Sequence, residues 1–472
     1  MGGKKIKMFG FIFFVCGFFA AGDADAKVFV VNDSGDNLVC GNICTLRGAI
    51  DASNTNGEVD VITIDQKIKY IFTASELSIN ADDSLDAAVD VTISGNAIID
   101  AQKKGRVFSI AKGAHAIMDG IGITGGYLYT SSTLIGAGIY NQGTLELYSV
   151  KLFGNVIKNS SIKKKSSVRG AGIYNAYEAT LTITKSQIGP RNILELEGID
   201  AEAQGAGVYN AGGLSIVDSN VFNNRAFASS KADKGFAKAH GGGVFNTASI
   251  AMHIYGSAIY SNKVETILEG KPMHAQAVGA GIFVDSSSKL YMANSTISSN
   301  ESVSSGSPES FAFAHGGALY AGTYAKTYLA NVTVAQNSVS VPTSKYPAGA
   351  AVGHSFFAVT APGYIFKIRN SIITSNGENC IYKIQSDGNN VVSDNSCFTV
   401  PGTGDQVNTD PLLFPLASNG GFTKTHALTR ESPALNAGNS DGCLDYMQTL
   451  LDLDQRGNYR SKESCDAGAF ES

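Results

Sequence analysis

The residues best suited to chemistry are few. Asp82 and Asp83 are the one adjacent Asp pair, and Asp86 and Asp90 follow them closely. Four carboxylates on one loop could hold Ca²⁺, since that ion takes six to eight oxygen ligands. A solvated turn accounts for the segment more simply. Asp441, Asp445, Asp452 and Asp454 form a second acidic stretch, in which Asp454 has Arg456 and Arg460 as ready ion-pair partners. His240 and His315 each precede a Gly-rich motif two copies apart. Stacked copies would set them roughly 10 Å apart, too far for a shared metal, so a solvent-facing ladder position is expected.

Cys40, Cys44, Cys380, Cys397, Cys443 and Cys465 fall into three sequence-local pairs. An even count behind an export signal reads as disulfides. Zinc is disfavoured because Cys40-x3-Cys44 has no second Cys or His pair nearby. The export signal itself is legible: Lys4, Lys5 and Lys7, an apolar run from Phe9 to Ala21, then Ala24-Asp25-Ala26 as a cleavage site. Residues 1–26 are therefore read as a signal peptide, with Cys16 an ordinary residue of its apolar run. No later apolar run is long enough to span a bilayer as a helix. The formal net charge is −5, and −6 without the first 26 residues. That balance gives no electrostatic footprint for nucleic acid.

What positions these residues is a repeat. Gly136-AGIYN, Gly170-AGIYN, Gly205-AGVYN, Gly241-GGVFN, Gly279-AGIFV and Gly316-GALYA recur at intervals of 34 to 38 residues, and Gly349-AAVGH follows as a weaker copy. A second strand-like segment follows each motif, as in LELYSV and LTITKS, and ends near Asn155, Asn192, Asn223, Asn262, Asn300, Asn337 and Asn376. Apolar and polar residues alternate in the strands, and Gly and Asn mark corners. With 53 Gly, no Trp and 16% charged residues, the composition suits short strands and tight turns. The expected fold is all-β: a single-stranded right-handed parallel β-helix over 59–400, with an N-terminal cap at 27–58 containing a short helix, and a C-terminal cap domain at 401–472. Variable stretches leave one edge as a row of loops. A propeller needs four strands per unit and a leucine-rich repeat needs its Leu frame; neither is present.

The shared phase of Tyr140, Tyr174, Tyr209, Phe245, Phe283 and Tyr320 is read as an interior packing ladder, since large rings usually sit in cores. Lys158, Lys163, Lys164, Lys165 and Arg169 make one loop basic, which is read as solvated. An Ala-x-Ala-x-Gly alternation precedes several motifs, at Ala201, Ala237, Ala275 and Ala312; it gives a small-residue stripe of no assigned function.

Two end motifs carry a family resemblance. Cys44-TLRGAI resembles the CSLREA box of bacterial surface proteins, with Thr45 for Ser and Gly48 for Glu. Asp410-PLL, Pro415-LASNGGFTKTHAL, Ser432-PALNAG, Asp454-QRG, Arg460 and Cys465-DAGAFE resemble the choice-of-anchor Q domain. The repeats are loosely similar to those of polymorphic outer membrane proteins. The resemblance implies a right-handed parallel β-helix closed by its C-terminal domain, at the cell surface or secreted, with outer membrane association as one form of retention. The stop at Ser472 leaves the mode of anchoring open. Enzymes on this fold act on acidic polysaccharides, but the repeats hold no Asp pair and no Arg-x-Lys. The expectation is a non-catalytic, adhesin-like protein without catalytic residues, metal or cofactor, binding a glycan or surface protein through its edge loops. A polysaccharide lyase or glycoside hydrolase, with Ca²⁺ at the Asp82–Asp90 segment, is the alternative, and a structural coat protein the third. Oligomeric state is left open.

Overall fold

The computed structural model describes residues 26–64, 69–71, 76–81, 90–129, 134–161, 165–231, 235–269, 274–307, 310–343, 351–359, 363–440, 442–461 and 464–472. The signal segment up to Asp25, the carboxylates Asp82, Asp83, Asp86 and Asp441, Lys163, Lys164 and the start of the Gly349 copy lie outside the described residues.

The chain forms a right-handed parallel β-helix. Nine three-residue strands, from Leu77–Ile79 to Phe356–Ala358, stack as sheet 1. The six motifs from Gly136 to Gly316 each open one, and the last is opened by Gly353, not by the Gly349 expected from the sequence. Their register places like on like: Ile139 on Ile173 on Val208, Tyr140 on Tyr174 on Tyr209, Asn141 on Asn175 on Asn210. The segments of the Thr144–Tyr148 type form sheet 2, those of the Lys151–Leu152 type sheet 3 and those of the Val156–Ser161 type sheet 4, the three being faces of one continuous ladder. Strands of the Ser166–Arg169 type form sheet 5, six strands long.

Alternation sends Ile139, Leu145, Leu147, Leu152 and their equivalents into one core running down the helix. The corner between sheets 3 and 4 is built on amides. Asn155, Asn192, Asn224, Asn262, Asn300 and Asn337 are buried; each of the first five donates Nδ2 to the next Oδ1 at 2.9–3.1 Å, and Asn337 ends the row on the Ile297 and Ala335 carbonyls. A stack of identical amides satisfies its own donors and acceptors, which makes burial tolerable. Two corner residues differ from the sequence expectation. Asn224, not Asn223, occupies the ladder; Asn223 is exposed in a left-handed turn with φ 50°. Asn376 is exposed as well. Glycine in the motif is required by the same ladder. A Cβ at Gly207 would lie 2.9 Å from Asn224 Nδ2 and 2.5 Å from the Gly243 carbonyl.

The edge expected to carry loops is instead ordered sheet. Sheets 4 and 5 fold back on each other as a fin. Ala201, Ala203, Ala237, Ala239, Ala275 and Ala277 of sheet 5 pack on Leu194, Leu196, Ala226, Ala228 and Val264 of sheet 4, in a core separate from that of the helix. The small-residue stripe is thus the interior of the fin, where it packs against the larger Leu194, Leu196 and Val264 of sheet 4. The outer face of sheet 4 is laced with ion pairs, Lys158–Glu195, Arg225–Glu265 and Lys263–Glu301.

At the N-terminal end the helix Leu46–Ser53 is capped by Thr45, whose Oγ accepts from Gly48 N, and buries Leu46, Ala49 and Ile50. Gly48 has a packing reason: a Cβ there would meet the Val39 carbonyl at 2.3 Å. The parallel ladder reaches further toward the N-terminus than residue 59, because Lys27–Val31 pairs with Asp60–Ile64. The C-terminal segment runs back along the flank of the helix. Thr423 Oγ1 bonds the Gly256 carbonyl, Asn294 Nδ2 the Leu453 carbonyl, Thr296 Oγ1 Gln455, and Ala469 N bonds Thr333 Oγ1. All three local cysteine pairs are disulfides: Cys40–Cys44, Cys380–Cys397 and Cys443–Cys465. Among the described residues no helix is long and apolar enough to cross a membrane.

Candidate binding face on the fin

The ring ladder lies outside the helix core. Tyr140, Tyr174, Tyr209, Phe245, Phe283, Tyr320 and Phe357 point outward from sheet 1, because their neighbours in each strand point in. They are nonetheless packed, in the inside corner where the fin leaves the helix. From Tyr174 to Phe357 successive centroids are 4.7–5.3 Å apart with planes within 9°. Each ring face is covered by the next ring, and Arg106 lies 5.0 Å over Tyr140 at the end. A ligand would find ring edges there, so the ladder is a spine and not a stacking platform.

His240 and His315 close this corner from sheet 5, and they are not solvent-facing. His240 stacks on Phe283 at 4.9 Å and His315 on Phe357 at 4.2 Å. They share one row with Val278 between them. Burial, and then the Lys238 charge, holds His240 down at about 3, opposed by its hydrogen bonding to Gln276. Burial alone brings His315 to about 4. Burial also pushes Tyr209 and Tyr320 up to about 12.

The outer face of sheet 5 is different. Its strands alternate Ala inward with a varied residue outward, so Glu202, Lys238, Gln276 and Phe313 stack in register as one half-exposed row. Asp200, Phe236, His274 and Phe311 form the neighbouring row, further from the helix. Lys238 Nζ lies 4.8 Å from the Phe236 ring and Lys165 5.8 Å from it. His274 and Phe311 are 5.3 Å apart. This face therefore offers aromatic rings beside a cation, an amide and a carboxylate on a flat, rigid support. Sequence reasoning missed it, although the x positions of the Ala-x-Ala alternation spell it out.

The basic loop is divided between surfaces. Lys158 pairs with Glu195 on sheet 4, Lys165 reaches Phe236, and Arg169 donates to Gln204 Oε1 at 2.8 Å while lying 5.3 Å over Tyr209. The carboxylates are equally dispersed. Asp90 accepts from His115 N; Asp445 caps the turn at Met447 and Thr449. Asp454 pairs with Arg456 at 2.7 Å, whereas Arg460 pairs with Glu471 at 2.9 Å. The Asp452 carbonyl accepts from Arg460 N. Among the described residues no three His, Cys, Asp or Glu side chains converge as a metal site.

One titratable cluster was not singled out from the sequence. On the outer face of sheet 2, His115 Nε2 is 2.9 Å from Glu146 Oε1, and Tyr148 Oη donates to Glu146 Oε2 at 3.4 Å. The bond from His115 holds the Glu146 carboxyl below its usual range, against its burial. Burial, then the Glu146 charge, raises Tyr148. Strand spacing was the available signal: residues 31 apart become diagonal neighbours once Thr144 is stacked on His115.

No protein-family model matches the chain, and no curated protein matches it. Among solved structures, the chain is similar to one described as the crystal structure of pectate lyase Pel9A. The identity is 14% and the TM-score 0.47, over 95% of this chain and 97% of that one.

Proposed function

We propose that this chain is an exported, surface-associated β-helix protein of the CSLREA and choice-of-anchor Q type, and that it binds a glycan, matrix or surface-protein ligand in the manner of an adhesin. The observation that carries this reading is the row Glu202, Lys238, Gln276 and Phe313 beside Phe236 and Phe311 on the fin. Half-exposed rings stack on the apolar faces of sugars, and adjacent amide and charged groups fix their hydroxyls. The rigid support lowers the ordering cost of binding. Three disulfides fit an oxidising compartment outside the cytosol.

A second reading, a polysaccharide lyase or hydrolase, draws on His115, Glu146 and Tyr148. An imidazole, a carboxylate and a phenol within hydrogen-bonding reach suit proton transfer. One experiment separates the two. The purified protein is screened on an array of glycans and acidic polysaccharides, with and without Ca²⁺, for binding and for new reducing ends or unsaturated products. Binding without product, lost in Phe313→Ala with Lys238→Ala, is the expected result. Product formation abolished by His115→Ala would replace it with the enzymatic reading.

A further inference from the structure

The first strand, Lys27–Val31, buries Phe29 and Val31 and turns Val28 and Val30 outward, 59% and 56% exposed. Its neighbour is Asp60–Ile64, in parallel register. Lys27 N donates to the Val59 carbonyl. In a parallel pair alternate residues bond the same neighbour, so Lys27, Phe29 and Val31 address that strand. The N–H and C=O of Val28 and Val30 point to the other side, where no backbone partner is present among the described residues. One residue further on the edge is closed, because Asn32 N donates to the Cys44 carbonyl.

The adjacent sheet shows how this fold otherwise treats such an edge. The first strand of sheet 1 is met by the cap helix: Asn54 Nδ2 donates to the Ser78 carbonyl, Asn54 Oδ1 accepts from Asn80 N, and Arg47 Nη1 donates to the Glu76 carbonyl. The valine edge has no such cover, and exposed apolar edges invite strand pairing. Leu38, Val39 and Ile43 are also exposed on this end, on a loop held by the Cys40–Cys44 disulfide.

We infer that the Val28–Val30 edge pairs with the same edge of a second copy, giving a twofold dimer joined end to end. The sequence is self-complementary for this. An antiparallel pairing centred on Phe29 sets Val28 opposite Val30 of the second copy, and Val30 opposite its Val28. Each such pair exchanges two N–H···O=C bonds, so the two pairs satisfy all four free groups on each copy. The exposed valine side chains meet across the strands. A twofold contact uses the same patch on both molecules and closes at two.

Sedimentation velocity of the full chain, purified after export, tests this across a wide concentration range. The expected result is a concentration-dependent dimer, with slowed amide exchange at Val28 and Val30. Val30→Pro removes a bonding N–H and Val28→Lys sets a charge on the edge; each is expected to be monomeric. Val28→Lys alters only an exposed side chain, so it decides the matter should Val30→Pro fail to fold. A monomer at every concentration, or a Val28→Lys variant that dimerises as the parent does, would overturn the inference.

Discussion

His240 lies face to face with Phe283, 4.9 Å between centroids and 4° between planes. The row it occupies runs Arg169, Gln204, His240, Val278 and His315, so the ionisable ring sits between a polar and an apolar neighbour. Its Nε2 has no hydrogen-bond partner among the described residues. The corner between fin and helix is therefore built for the neutral imidazole.

Stability should fall on mild acidification. The folded His240 binds its proton only near pH 3, and His315 near pH 4, against an ordinary value of 6.5. Between those values the unfolded chain binds more protons than the folded one. The stabilisation is complete above pH 6.5 and is lost as pH falls toward 4, at up to about 1.4 kcal/mol per pH unit for each histidine. Urea midpoints measured from pH 7 to pH 4, on a scale of about one unit per step, should drop. His240→Phe should flatten the slope, since Phe245 and Phe283 already show that a phenyl ring fits the stack. An unchanged slope in His240→Phe would remove this account.

The amide ladder makes a sharper prediction about two adjacent residues. Asn224→Ala leaves Asn262 and Asn192 each short of a partner inside the core. The expected cost is about 1–3 kcal/mol for each unsatisfied group. Asn223→Gly, one residue away, keeps the left-handed backbone and disturbs nothing buried, so its midpoint should match the parent. Chemical denaturation of the two variants side by side checks both.

Why the sequence resolved some of this and not the rest follows from range. The coil, its register and the cap helix are local patterns: alternation, a recurrent Gly motif, and Thr45 ahead of Leu46, Ala49 and Ile50. The local cysteine pairs were legible for the same reason. The side to which Tyr209 points was not, because strand alternation fixes only opposite faces, and both faces of sheet 1 are buried here. The fin was missed because Ala-x-Ala reads as featureless until its partner, Leu194 and Leu196 on the preceding strand, is placed against it. His115 and Glu146 meet only through stacking of separate coils, which no local pattern announces.

The flank contact rests on a buried ion pair. Arg460 is 6% exposed; it bonds Glu471, the Gly468 carbonyl and Asn294 Oδ1 of the helix. Arg460→Ala leaves the Glu471 carboxylate buried with only the Ser461 and Asp466 amides, and breaking such a pair costs about 3–5 kcal/mol. The loss should fall on the C-terminal segment first, because the coils beneath keep their own ladder. Limited proteolysis should then release fragments cut after residue 410, with the circular dichroism of the β-helix retained.

The fin offers the last test, of packing against function. Ala277 is fully buried where sheet 5 meets sheet 4. Ala277→Leu adds three carbons to a space lined by Ala239 and Ala314 in register above and below it. Overpacking of this kind costs about 1–3 kcal/mol, and the strain must part the two sheets because neither can move along the ladder. Gln276 and Phe313 would then lose their common plane while remaining chemically intact. Ligand binding by the Ala277→Leu protein should weaken together with hydrogen-exchange protection of the fin, and the main helix should keep its protection. Binding that survives while the fin opens would move the ligand site off sheet 5.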